Sequence, residues 1–252
     1  MTWSHDRYCD AIGPEIDRMA AAATGVAPGT PVPTCPDWTL AVLLEHMGAV
    51  HRWAGTMVTQ LSPRRVNRAD LDLGLPADER DLPAWLAAGA EPLLASFRNA
   101  DPDAAMWAWG TDRHVRFWPR RMLHETCIHR VDAERTAGVA SEVDPEVASD
   151  GIEELLGNLL SAARFAPSIE ELRGNGETLT FEATDIGVRW LITREPGGFH
   201  WGRDDGAAHA SVGGQVADLY LVLYRRLPTD HPGMKLAGDQ AIVDHWFANA
   251  KI

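Results

Sequence analysis

Through most of the first half of the chain apolar residues recur every three or four positions, the spacing that gathers them on one face of a helix. Residues 5–24 carry Ile12, Ile16, Met19 and Ala23 in that rhythm. Gly25 and the run Pro28-Gly29-Thr30-Pro31-Val32-Pro33 then break the helix, since proline lacks the amide donor a helix interior needs. Thr34-Cys35-Pro36-Asp37-Trp38-Thr39 reads as a helix entry, with Asp37 or Thr39 as the N-cap. From Leu40 to about Leu61 the positions Val42, Leu43, Met47, Val50, Trp53, Ala54 and Met57 predict a long amphipathic helix. The polar, proline-containing stretch 62–81 predicts a long loop, a candidate lid. Leu82 to Asn99 predicts a third helix through Trp85, Leu86, Leu93, Leu94 and Phe97. An aromatic-rich loop with Trp107, Trp109 and Trp118 follows, and Phe117 to about Thr136 predicts a fourth helix, ending near Gly138.

The pattern then changes. Pro145 to Phe165 predicts one more helix, a bridge. Residues 177–183 and 188–193 read as strands joined by the turn Thr184-Asp185-Ile186-Gly187. Phe199 to Gly202 and Ala208 to Gly213 are two further short strands, and Val216 to Arg226 and Ala241 to Ala250 are helices. The expected fold class is α followed by α+β: a four-helix bundle over residues 1–150, then a small α/β domain over 151–252, with the bridging helix at 145–165. A length of 252 residues suits one large or two modest domains.

The formal net charge of −13 argues against nucleic acid or an anionic membrane as the main partner, because both repel an acidic surface. No apolar run approaches the ~18 residues needed to span a bilayer, and Met1-Thr2-Trp3-Ser4-His5-Asp6 lacks the basic-then-apolar order of a secretory signal. A cytoplasmic protein is expected, as a monomer or weak homo-oligomer. The three cysteines, Cys9, Cys35 and Cys127, form no CxxC pair and no disulfide framework.

The candidate chemistry lies in Arg120-Arg121-Met122-Leu123-His124-Glu125-Thr126-Cys127-Ile128-His129-Arg130-Val131-Asp132. Glu125 and His129 are four residues apart, one turn along a single helix face, where a carboxylate and an imidazole can share a divalent metal. The same spacing also arises on an ordinary surface helix. A third ligand is needed, and His46 offers one within the second helical pattern. Two His and one Glu would leave a coordination position open, the arrangement of catalytic zinc sites. His124 lies ~100° from Glu125 around the helix and is expected to support rather than ligate. The second histidine falls five residues after His124, so this is not the HExxH motif of a zincin protease. His51 and His114 have no partner at metal spacing. Cys127 is ~200° from Glu125 and reads as a core thiol. Arg121, Arg130 and Asp132 could hold the metal-bound imidazoles or form a solvated face. Arg225 and Arg226 end an apolar helix, either as favourable charges at its C-terminus or as a clamp for a carboxylate.

Three segments together resemble the mycothiol-dependent maleylpyruvate isomerase family of the DinB-like superfamily. They are Thr34-Cys35-Pro36-Asp37-Trp38-Thr39 with His46-Met47-Gly48-Ala49-Val50-His51-Arg52-Trp53, the Arg120 to Glu134 stretch, and a tail. The tail comprises Ala183-Thr184-Asp185, Trp190, Ala217 to Pro228 and Gly238-Asp239. The resemblance covers nearly the whole chain. It implies a DinB-like bundle followed by a domain of sterol-carrier type. It also implies a divalent metal, usually zinc, on His46, Glu125 and His129, and the external thiol mycothiol as cofactor. The family's C-terminal arginine falls on Arg226, with Arg225 the alternative, as a catalytic and cofactor-binding group. The loop 62–81 and the Trp-rich segment 107–118 would then shape the substrate pocket.

A thiol with a pKa of ~8.5 is mostly protonated at neutral pH, and coordination to zinc deprotonates it. Addition of that thiolate to a small electrophile gives cis–trans isomerisation if it leaves again, and thiol S-transfer if it stays. Cys127 points away from the metal edge and Cys35 precedes the helix of His46, so neither is expected as a built-in nucleophile. The rival readings are a metal-dependent hydrolase and a non-enzymatic metal- or ligand-binding module.

Overall fold

The computed structural model describes residues 3–251. It divides into two compact units, Met1–Glu142 and Val143–Ile252, the division falling just ahead of the helix expected to bridge the domains.

The first unit is helical. α1 (His5–Ala23) starts on Ser4, whose hydroxyl accepts from the amide of Arg7, and buries Cys9, Ile12, Ile16 and Met19. α2 (Leu40–Thr59) is capped by Thr39 rather than Asp37; the Thr39 hydroxyl accepts from Val42 N at 3.4 Å. α5 (Phe117–Thr136) packs most extensively on α1 and also on α2. It stops in a Schellman turn: Val139 N donates to Glu134 O at 2.8 Å and Gly138 N to Arg135 O at 3.0 Å, with Gly138 at φ 70°.

The third helix differs from expectation. It is two pieces, α3 (Leu82–Ala88) and α4 (Ala90–Arg98), joined at Gly89. Pro92 is the reason: in an unbroken helix its ring would clash with the Ala88 carbonyl, whereas the break puts it in the first turn of a new helix. Gly89 also leaves room for the Arg52 guanidinium, which a Cβ there would meet at 2.8 Å.

The second unit is a mixed five-stranded sheet in the order β3-β2-β1-β4-β5, with helices. β1 (Thr178–Ala183) and β2 (Val188–Glu195) form the expected hairpin, in a register that puts Phe181 opposite Trp190. β3 (Gly198–Arg203) continues it antiparallel, and β4 (Ala210–Gly214) lies parallel to β1 on the other side. β5 (Lys235–Gly238) is an exposed edge strand without apolar alternation, and no sequence pattern announced it. α8 (Gln240–Asn249) seats Trp246 against Phe181 and Phe199, with ring centroids 5.5 and 5.3 Å away. The expected bridging helix is shorter than predicted: α6 (Pro145–Asn158) gives way to a 3-10 segment, Leu159–Arg164. α7 (Val216–Leu223) also ends early, because Arg225 turns left-handed at φ 63° and Arg226 N closes on Leu221 O at 2.7 Å.

Candidate metal centre

α2 and α5 bring three side chains to one point. His46 Nε2 lies 3.3 Å from Glu125 Oε1, and His129 Nε2 lies 3.7 Å from the same oxygen. One donor atom from each of the three lies within 4.8 Å of the others. The imidazoles meet nearly edge-on, with centroids 5.2 Å apart and planes at 72°. His46 and Glu125 are each 25% exposed, so a small molecule can reach the point where the donors converge.

The second oxygen of Glu125 is engaged from within its own helix: Arg121 Nη2 donates to Glu125 Oε2 at 2.5 Å. Burial would raise the Glu125 pKa, but the charge of Arg121 and the hydrogen bond with His46 outweigh it. The carboxyl is held well below the usual carboxylate range.

A short loop before α2 covers both imidazoles. Val32 N donates to Trp38 O at 2.9 Å and Trp38 N to Cys35 O at 3.1 Å, closing it. Asp37 turns the chain at φ 68°, a left-handed conformation that Asp adopts more readily than most residues. The Trp38 ring lies 4.9 Å from His46 and is stacked on His129 at 5.8 Å and 19°. At the other end of the loop, Thr34 Oγ1 donates to Asp132 Oδ1 at 2.5 Å and Cys35 Sγ lies 3.3 Å from Asp132 Oδ2. Asp132 Oδ2 is 2.8 Å from His129 Nδ1.

Cys35 is therefore next to the centre, although it precedes α2 in sequence. The loop folds back and sets it on the Nδ1 side of His129, and Cys35, His129 and Asp132 make a second group of potential donors within 4.8 Å. The i, i+3 spacing of His129 and Asp132 was the available sequence signal; nothing local pointed to Cys35. Cys127 is buried as expected, and burial pushes its thiol pKa up.

The other histidines do not join the group. His124 is fully buried on α5. His51 Nε2 pairs with Thr126 Oγ1 at 2.9 Å, one step along the same helix contact. His114 pairs with Asp112 at 2.6 Å. Arg130 ties α5 to α1 through Glu15 at 2.8 Å and bonds Glu134 at 2.7 Å, so it braces the bundle.

The segments expected to line a pocket are held firmly. Trp53 Nε1 donates to Val66 O at 2.8 Å and Trp85 Nε1 to Leu73 O at 3.0 Å, pinning the loop 62–81 at two points. Trp118 is fully buried with its centroid 5.2 Å from Trp53 and is core. Trp109 approaches Arg121, its ring centroid 5.9 Å from the guanidinium carbon.

Arg226 belongs to the second unit. There its Nη1 donates to Tyr224 O at 2.8 Å, and with Arg225 it forms the turn that ends α7. No helix among the described residues is long and apolar enough to cross a membrane.

Residues 9–134 match the domain family described as the mycothiol maleylpyruvate isomerase N-terminal domain, and residues 146–245 match the MDMPI C-terminal domain. Among solved structures, the chain is similar to the crystal structure of the mycothiol-dependent maleylpyruvate isomerase. The TM-score is 0.62 and the identity 14%, over 94% of this chain and 96% of that one. A histidine-to-alanine mutant of that isomerase gives a TM-score of 0.58 at the same identity and coverage. At 14% identity these likenesses speak to the fold. No curated protein matches the sequence at a significant level.

Proposed function

The chain belongs to the mycothiol maleylpyruvate isomerase family, and from that premise we propose that it is a metal-dependent enzyme that uses mycothiol to isomerise a small electrophile of the maleylpyruvate type. The observation that carries this is the convergence of His46, Glu125 and His129 on one reachable point. Tetrahedral bonds of about 2.1 Å separate ligand atoms by about 3.4 Å, and the donor pairs here stand 3.3 and 3.7 Å apart. Two imidazoles and a carboxylate suit zinc and leave a coordination position free. Bound there, the metal would supply the charge that makes a thiolate of a weakly acidic external thiol, whose reversible addition to an electron-poor double bond permits cis–trans rotation.

The chain's own residues prepare that chemistry. Arg121 keeps Glu125 ionised and takes one of its oxygens, leaving the other for the centre. Trp38 packs on both imidazoles and limits their rotation. Cys35 sits on the far side of His129, so the nucleophile must come from outside. Arg226 is the proposed guanidinium for an anionic group of the substrate or thiol, the role given by the family resemblance. If the added thiol does not leave, the same arrangement performs S-transfer. Use of mycothiol implies a cytoplasmic setting.

The test begins with elemental analysis of purified protein. One divalent metal per chain is expected, lost in His46→Ala, Glu125→Gln and His129→Ala and kept in His124→Ala. Activated alkenes, maleylpyruvate among them, are then assayed with and without mycothiol on zinc-loaded protein. Equal rates without the thiol would leave the hydrolase reading. No metal and no calorimetric response to millimolar mycothiol would leave the binding module. An Arg226→Gln variant should keep its metal while its KM rises or its kcat falls.

A further inference from the structure

We propose that Asp132 is a positioning residue that fixes His129 with Nδ1 protonated, so that Nε2 turns its lone pair to the point shared with His46 and Glu125, and that the loop Thr34–Trp38 holds Asp132 in place. Its significance for metal affinity rests on the reading above; the tautomer itself does not.

Asp132 is fully buried, so its carboxylate must find partners inside the protein. Its partners include the Thr34 hydroxyl on Oδ1, and the Cys35 thiol and His129 Nδ1 on Oδ2. An ionised carboxylate only accepts, and a hydroxyl, a thiol and an imidazole N–H can each donate. With Asp132 ionised, the hydroxyl, the thiol and an Nδ1–H of His129 can all donate to it, which is the arrangement proposed. A neutral imidazole protonated at Nδ1 presents a bare Nε2, and Nε2 is the atom 3.7 Å from Glu125 Oε1.

The loop restrains the ring from two directions. Thr34 and Cys35 hold the carboxylate at the ring's edge, while Trp38, four residues after Thr34, is stacked on its face at 19°. Cys35 thereby has a function that requires it to stay a thiol: it donates to Asp132 and does not ligate. The competing arrangement is a cation held directly by Cys35, Asp132 and His129, whose donors also lie within 4.8 Å of one another. It would cost Asp132 its hydrogen bonds from Cys35 and His129.

The first measurement needs no variant. Long-range proton–nitrogen imidazole spectra of the metal-free protein should show His129 protonated at Nδ1; an Nε2-protonated ring overturns the proposal. In Asp132→Asn that signature should be lost, and zinc should bind about 10–100-fold more weakly, the usual effect of removing a carboxylate that orients a ligand histidine. Thr34→Val leaves Asp132 in place and removes one of its donors, so zinc affinity should fall in the same direction by less than about tenfold. It stands in if the Asp132→Asn protein does not fold. Unchanged tautomer and affinity in a folded variant overturn the proposal. So does a thiolate-to-cobalt charge-transfer band in cobalt-loaded protein without added thiol, since that makes Cys35 a ligand. If the wild-type chain binds no zinc, the metal reading fails, while the spectra still decide the tautomer.

Discussion

Arg121 donates to Glu125 Oε2 from one helical turn away, while Glu125 Oε1 faces both imidazoles. The carboxylate is thus divided between a fixed internal cation and the open centre. Arg121→Met should expose what the internal half contributes. Removing the partner of a largely buried charge should destabilise the metal-free protein at neutral pH by about 1–3 kcal/mol, discounted because Glu125 retains some exposure. The sign follows from the depressed Glu125 pKa. A carboxyl whose folded pKa lies below its unfolded value stabilises above the unfolded pKa and loses that contribution as pH falls through the folded one. The gap between wild type and variant in urea unfolding should therefore be largest at neutral pH and close in strong acid. A gap that does not change with pH would mean Arg121 acts through packing alone.

Gly48 on α2 lies two residues beyond His46, and Trp85 occupies the space a side chain would need. A Cβ there would overlap the Trp85 ring. The ring cannot easily retreat: its N–H bonds Leu73 O at 3.0 Å, and Arg52 lies 3.9 Å over its face. Gly48→Ala should cost about 1–3 kcal/mol of stability, the range for overpacking, despite the better helix propensity of alanine. Thermal unfolding measures it, and a variant as stable as wild type would show that Trp85 has another place to go.

Sequence pattern revealed α1 and α2 because apolar residues recur along each at helical spacing, and the hairpin because a turn separates two strand-forming runs. It failed where the deciding interaction is not periodic. Pro92 splits the third helix, the left-handed Arg225 ends α7, and β5 is a four-residue strand without apolar alternation. The same division holds at the centre. Glu125 and His129 were visible because one helix turn joins them, and His46 because a family signature surrounds it. The place of Cys35 beside Asp132 was not legible, because it depends on a loop closing over α5, a contact spanning 97 residues of sequence.

Arg130 is fully buried and bonds Glu15 on α1 and Glu134 on α5; Glu134 also receives Arg18 at 2.9 Å. Arg130→Ala should destabilise by about 3 kcal/mol, the low end for breaking a buried pair, because it leaves the buried Glu134 and the partly buried Glu15 to the half-exposed Arg18 alone. A variant that also replaces Glu15 and Glu134 by neutral isosteres should recover part of the loss. Chemical denaturation of the three proteins tests this. If Arg130→Ala proves nearly neutral, water reaches the network and the charges are not truly desolvated.

His51 should give the bundle a second acid-sensitive element. Thr126 Oγ1 donates to Met122 O at 2.6 Å, so it accepts from His51 Nε2, and the His51 ring is neutral in the fold. Burial pushes its pKa down to about 3. The unfolded chain takes up a proton there below a pH of about 6.5, and the folded chain does not. Stability is therefore unaffected by this group above about 6.5 and falls by up to about 1.4 kcal/mol per pH unit below it, levelling near the folded pKa. His51→Asn cannot titrate, so its loss of stability between about pH 6.5 and 4 should be shallower than that of the wild type. Urea unfolding at a series of pH values, with chelator present to remove any metal, provides the comparison. Parallel curves would show that His51 protonates in the folded protein and that its site admits water.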